Sequence, residues 1–128
     1  MPTRSLNSRV LRWPDAETVL GAARQWAASA AQARKDVVRI GYIGSYARGD
    51  WGVGSDLDVV VVVSDATEPF HERAAKFDLP KLPVPVDLLV YTSAELKAFV
   101  QEGRRFGRVL TEEARWLYDR EAAKDIPL

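Results

Sequence analysis

The chain has 128 residues, eighteen basic and eighteen acidic side chains, a net charge of zero and no cysteine. That length holds one hydrophobic core, and the absence of cysteine removes disulfides and thiolate metal sites. The balanced charge argues against a polynucleotide backbone as the main partner, so nucleic acid is not expected.

Residues 1–13 contain Arg and Ser without periodicity and are expected to form a flexible arm. The domain is expected over 14–120, with 121–128 as a tail. The N-terminal stretch has no apolar leader, and no apolar run approaches the ~18–20 residues of a membrane span, so a cytoplasmic protein with no membrane partner is expected. Asp15 is placed to cap a helix running to about Arg34, with Val19, Leu20, Ala23, Trp26, Ala27 and Ala30 on one face. Val37–Ile43 reads as a strand, and a short helix is expected to start near Ser45. The run Leu57-Asp58-Val59-Val60-Val61-Val62-Val63 is largely β-branched and lacks alternation, the pattern of a strand buried on both faces. Thr67 to Phe77 holds a short helix with Pro69 in its first turn, followed by a loop with Pro80, Pro83 and Pro85. A strand carrying Asp87 begins after the last proline. Thr92-Ser93-Ala94-Glu95 is a capping box for a helix bearing Leu96, Phe99 and Val100, and Gly103 breaks it. A further helix carries Phe106, Val109 and Leu110. The whole is an α/β unit without internal repeats.

The chemistry concentrates between Gly44 and Asp58. In a strand, residues two apart share a face, so Asp56 and Asp58 project together from the start of the apolar run. Two unit charges about 4 Å apart repel by ~1 kcal/mol in water and ~4 kcal/mol at an effective dielectric near 20, so such a pair shifts its protonation or recruits a cation. Oxygen-only ligands favour Mg²⁺ or Mn²⁺. Gly44 lets the backbone approach a ligand closely, Gly44-Ser45 turns N–H groups toward an anion, and Arg48 offers a further phosphate contact. An anion cradle beside a cation site supplies the parts for metal-assisted phosphoryl or nucleotidyl transfer. Plainer readings stand beside these. Gly44-Ser45 alone is also a tight turn, Asp56 a turn cap, and Asp87 a buried acid paired with an arginine.

Gly44-Ser45, ten residues, then Asp56-Leu57-Asp58 resembles the GS-x10-DxD signature of the nucleotidyltransferase superfamily that includes DNA polymerase beta. The wording GSYARGDWGVGSDLDVVVV is most similar to its minimal nucleotidyltransferase branch, short prokaryotic proteins often encoded beside a HEPN-domain partner. The resemblance covers roughly residues 35 to 118 and implies a small mixed β-sheet packed with helices, the polymerase-beta-like palm core. It also implies a third carboxylate on a later strand, which Asp87 provides, and makes Trp116-Leu117-Tyr118 a last edge strand rather than the end of a helix. The chain is too short for separate palm, fingers and thumb modules, so a templated polymerase is not expected. The activity implied is Mg²⁺-dependent transfer of a nucleoside monophosphate, AMP from ATP or another nucleoside triphosphate, to a hydroxyl. The resemblance implies Asp56, Asp58 and Asp87 as the metal and catalytic carboxylates, and Gly44, Ser45 and Arg48 as the nucleotide contacts. A tyrosine of a HEPN toxin is the implied acceptor, making the chain an antitoxin; the alternative is a non-catalytic module that neutralises its partner by contact. A homo-oligomer stays open.

Other candidates are weaker. His71, among Glu68, Glu72 and Arg73, reads as a solvated residue, and Gly49, Gly52 and Gly54 do not match G-x-G-x-x-G. Trp51 either stacks on a base or packs its loop. Arg104, Arg105 and Arg108 form a basic patch, either a solvated face or a partner contact.

Overall fold

A computed structural model describes residues 13–78 and 82–121. Helix α1 spans Ala16–Ala33, and its Asp15 cap accepts the Thr18 N–H at 2.8 Å. Its small apolar face, Val19, Ala23 and Ala27, is buried against the sheet. At the far end Arg34 is paired with Asp36 at 2.7 Å and lies 4.2 Å over the Phe77 ring.

The sheet has four strands in the order β3-β2-β1-β4: β1 is Val37–Ile43, β2 Leu57–Val63, β3 Val86–Thr92 and β4 Arg115–Asp119. Strand β2 runs antiparallel to β1 and parallel to β3, and β4 adds antiparallel to β1, so the sheet is mixed, as the resemblance implied. Trp116, Leu117 and Tyr118 thus belong to an edge strand and not to a helix. Strand β2 is buried on both faces. Leu57, Val59, Val61 and Val63 pack toward α1, while Val60 and Val62 join Ile43 and Leu110 on the other side. Each fully buried valine contributes about 1.5–3 kcal/mol relative to exposure.

Between β2 and β3 the expected helix is shorter than predicted. A single turn, α3 (Phe70–Arg73), follows Pro69 and tightens into a 3-10 turn over Ala74–Lys76. The strand after it begins at Val86, since Pro85 has no N–H for the ladder. Helix α4, Ser93–Gln101, opens with the predicted box: Thr92 Oγ1 accepts the Glu95 N–H at 3.1 Å, and Glu95 Oε1 accepts the Thr92 N–H at 2.9 Å. The helix expected next is also brief. Its turn α5, Arg105–Arg108, widens into a π turn over Val109–Glu113, closed by the Ala114 N–H donating to the Val109 carbonyl at 3.0 Å. Gly107 sits against the Phe99 carbonyl so closely that a Cβ would collide with it, which fixes this segment to α4.

Arg73 ties the crossover to the sheet. It is 8% exposed and donates to the Glu68 and Val90 carbonyls at 3.0 and 3.2 Å, and to Glu95 Oε1 and Oε2 at 2.6 and 3.0 Å. Removing one member of a buried pair costs about 3–5 kcal/mol; Glu95 is about a third open to water, so Arg73→Ala is expected to cost about 2–3 kcal/mol, read from a denaturant midpoint. Arg73 and the Thr92 N–H also hold the Glu95 carboxyl below its ordinary 4.5. The unfolded chain therefore takes up this proton first on acidification, so the contribution is full above about 4.5 and is lost as pH falls through the lower folded-state value. Glu95→Gln should flatten that acid slope.

The arm expected over residues 1–13 and the tail over 121–128 lie almost wholly outside the described residues. Trp13, the last residue of the arm, is held: its indole N–H donates to the Tyr46 hydroxyl at 3.3 Å. Among the described residues no helix is long and apolar enough to cross a membrane.

Candidate functional site

The register of the parallel pair builds the site. Asp58 lies opposite Asp87 on β3 and opposite Ile43 on β1, so the two carboxylates sit side by side where β2 and β3 begin, next to the end of β1. Asp58 shares its face with Val60 and Val62, the side on which the π turn packs. Asp56 precedes β2 by one residue and is exposed, as is Asp87, whereas Asp58 is half-buried. Of the expected pair, then, only Asp58 is withdrawn from water. Its carboxyl is pushed above the ordinary carboxylate range, first by burial, then by the charges of Asp87 and Asp56, with Glu113 adding and Arg48 opposing. Asp87 is not a buried acid; its neighbour across the ladder is Asp58.

Gly44 closes the other side. Its backbone has φ 81° and ψ −152°, a region open essentially to glycine alone, and a Cβ there would lie 2.5 Å from Asp58 Oδ2. The backbone thus passes directly against the carboxylate. After it Ser45–Arg48 makes one helical turn, α2, closed by the Gly49 N–H donating to the Ser45 carbonyl at 2.9 Å. Ser45 is half-buried at the head of this turn. The loop from Asp50 returns to β2 through a turn in which Ser55 Oγ accepts the Gly52 N–H at 2.8 Å, so Ser55 supplies the acceptor that the turn reading had given to Asp56.

Arg48 is less simple than the sequence suggested. Its guanidinium donates to Asp50 Oδ2 at 3.1 Å and reaches Glu113 Oε1 at 3.5 Å, and Asp50 foremost raises its pKa. Glu113 was not anticipated. Its other oxygen, Oε2, accepts the Gly44 N–H at 2.8 Å, which places a carboxylate on the backbone donor that the sequence reading expected to face an anion. Glu112-Glu113 carries no motif, and the π turn that delivers Glu113 across sixty-nine residues has no sequence signature.

Trp51 packs its loop: its ring stacks on Tyr46, with centroids 5.6 Å apart and planes 6° from parallel. His71 is solvated, its side chain 78% exposed. Arg104 pairs with Glu102 at 2.6 Å, and Arg105 and Arg108 are exposed.

Among the described residues no group of three or more His, Asp or Glu side chains forms a ready-made metal cage. The donors nevertheless suit a hard divalent ion. Mg²⁺ keeps several waters and takes one or two protein carboxylates together with substrate phosphates, and here an under-compensated carboxylate faces three others. The cluster fits a cation that arrives with its own anion.

Over residues 25–116 the chain matches the model of a family described as a nucleotidyltransferase domain. Among solved structures, a candidate nucleotidyltransferase of Sulfolobus solfataricus superposes with a TM-score of 0.58 at 21% identity, covering 83% of this chain and 85% of that one, a likeness of fold. A toxin–antitoxin structure with AMP-PNP gives 0.45 at 15% identity, over 80% and 77% of the two chains. A mutant of the toxin–antitoxin MntA-HpeT gives 0.40 at 12%, over 88% and 79%. No curated protein matches.

Proposed function

Because the chain belongs to the nucleotidyltransferase domain family, we propose that it transfers a nucleoside monophosphate, AMP from ATP, to a protein hydroxyl, with a tyrosine of a HEPN toxin as acceptor. The observation that carries this reading is the side-by-side placement of Asp58 and Asp87 against the Gly44 backbone. That placement supports a cation site within reach of an anion-binding turn, the juxtaposition that transfer between a triphosphate and a hydroxyl requires.

In this reading Asp56 and Asp58 hold Mg²⁺ or Mn²⁺, with Asp87 at a second position. A divalent ion held by these carboxylates would supply Lewis acidity and charge to offset the phosphates. Gly44, Ser45 and Arg48 orient the β- and γ-phosphates. Asp87, the more exposed neighbour of Asp58, accepts the proton of the acceptor hydroxyl as its oxygen bonds to the α-phosphorus. The bond between the α-phosphorus and the bridging oxygen breaks, and pyrophosphate leaves. The half-buried Asp58 has its charge disfavoured by its surroundings, so a cation gains most there.

The test is incubation with Mg²⁺ and each α-labelled nucleoside triphosphate, with and without the product of the neighbouring gene. Label on a tyrosine of that protein, formed by substoichiometric amounts of this chain, is the expected result. Equal amounts and no need for ATP would instead mark neutralisation by contact. Asp87→Ala should lose turnover by about 10²-fold or more, the scale of general acid–base catalysis, while Mg²⁺–ATP affinity changes by far less. Equal loss of both would remove Asp87 from the proton transfer.

A further inference from the structure

Glu113 stands where the sequence left room for a phosphate. One oxygen takes the Gly44 N–H at 2.8 Å and the other faces the Arg48 guanidinium at 3.5 Å, so a single carboxylate spans the backbone donor and the cation of the anion-binding turn. It does so against local repulsion, since its charge adds to those that push Asp58 upward. A tether and a stand-in for an absent anion would both gain these bonds, and they differ in whether an arriving anion must displace the carboxylate. Charge-assisted bonds to an N–H and a guanidinium are what such a turn offers any anion, so Glu113 holds the contacts a phosphate would need.

The surroundings leave the side chain somewhere to go. It is 21% exposed and sits at the end of the π turn, a widened geometry that recurs at functional sites. A cleft of about 280 Å³ on one side is lined by Arg105, Arg108, Val109, Glu112 and Glu113. Another of about 300 Å³ is lined by Ala47, Arg48, Glu112, Glu113 and Arg115. Glu113 is part of the wall between them, with arginines available in either direction.

We propose that Glu113 is a built-in competitor for the phosphate-binding turn, occupying the Gly44 N–H until the terminal phosphates of a nucleoside triphosphate displace it. This rests on the nucleotide reading of the site. It makes nucleotide affinity a property of two arrangements. In one Glu113 is docked and the turn is closed to anions; in the other it has swung away and the turn is open. When the open form is a fraction f of the molecules, the observed Kd is the intrinsic one divided by f, so a docked population of about nine-tenths weakens binding about tenfold.

The experiment is calorimetric titration of the full chain, as wild type, Glu113→Gln, Glu113→Ala and Glu112→Gln. The titrants are ATP with Mg²⁺, ATP in chelator, and inorganic tripolyphosphate. Both Glu113 variants should bind ATP about tenfold more tightly, with a matching gain for tripolyphosphate, because the competition is for phosphate and not for the base. Glu112→Gln removes a charge one residue away and should change affinity by less than about twofold, given screening at an exposed site. Unchanged or weaker binding by both Glu113 variants, with wild type binding normally, would make Glu113 a tether: the competitor is then refuted and the nucleotide site stands. An equal gain in Glu112→Gln would reduce the effect to general charge and refute it too. No binding by wild type or any variant would take down the nucleotide reading and this inference with it.

Discussion

Asp58→Asn is expected to abolish transfer while leaving the protein folded and slightly more stable. Asp58 is the one of the three aspartates withdrawn from water, and it faces Asp87, Asp56 and Glu113 with Arg48 in opposition. Losing its charge removes the strongest attraction for a divalent ion at the point where phosphate charge must be neutralised. Removing a single preorganised electrostatic contact typically costs 10²–10³ in kcat, and a loss at least that large is expected here. Mg²⁺–ATP affinity should fall in parallel. The same neutralisation relieves repulsion in the apo protein, worth about 0.5–1 kcal/mol, or roughly 2–4 °C in Tm. An inactive protein with a raised Tm is the signature of a residue kept for chemistry at the expense of stability. Retained transfer, or a lowered Tm, would show that Asp58 serves the fold instead.

Gly44→Ala is the second large effect, and it arises from backbone and not from charge. The position has φ 81° and ψ −152°, where a side chain costs of order 1–3 kcal/mol, and the added methyl would lie 2.5 Å from Asp58 Oδ2. Either the carboxylate or the turn must move. A loss of about 2–3 kcal/mol in stability is expected, with nucleotide binding reduced below detection because both halves of the site shift together. Gly49→Ala is the informative control. It also carries a positive φ, 84°, but a Cβ there meets nothing within 4 Å, so it should cost stability of about 1–2 kcal/mol and spare binding. Equal effects of the two on binding would mean that the Gly44 contact with Asp58 is incidental.

These two residues also show how far the sequence could be read. Strands β1 and β2 were legible to the residue because short runs rich in β-branched residues and bounded by glycine, aspartate and serine admit few alternatives. Asp15 and the Thr92–Glu95 box were legible because capping is local chemistry. The opposition of Asp58 and Asp87 was implied only through the family resemblance, since register between parallel strands is fixed by packing across the sheet and leaves no mark in either segment. The helices expected after Pro69 and after Gly103 both form, but what type of turn they would hold was not legible. Both are cut to one α turn and relax into a 3-10 or π turn where the chain must re-aim toward the sheet. Glu113 was invisible for the same reason: its role depends on a turn type with no sequence signature and on a partner far along the chain.

That distance has a thermodynamic consequence. The donor at Gly44 and the carboxylate that meets it are sixty-nine positions apart, and between them lie β2, the crossover, β3 and the segment that carries the π turn. No stretch of the disordered chain can reproduce the arrangement, so a molecule that fits it recognises the native state alone. By mass action such a molecule at a hundred times its Kd deepens the native well by about 2.7 kcal/mol. Every strand that must be in place for the site to exist shares that gain. The melting temperature of the whole domain thereby becomes a gauge of which nucleobase the site prefers, readable before any acceptor is in hand.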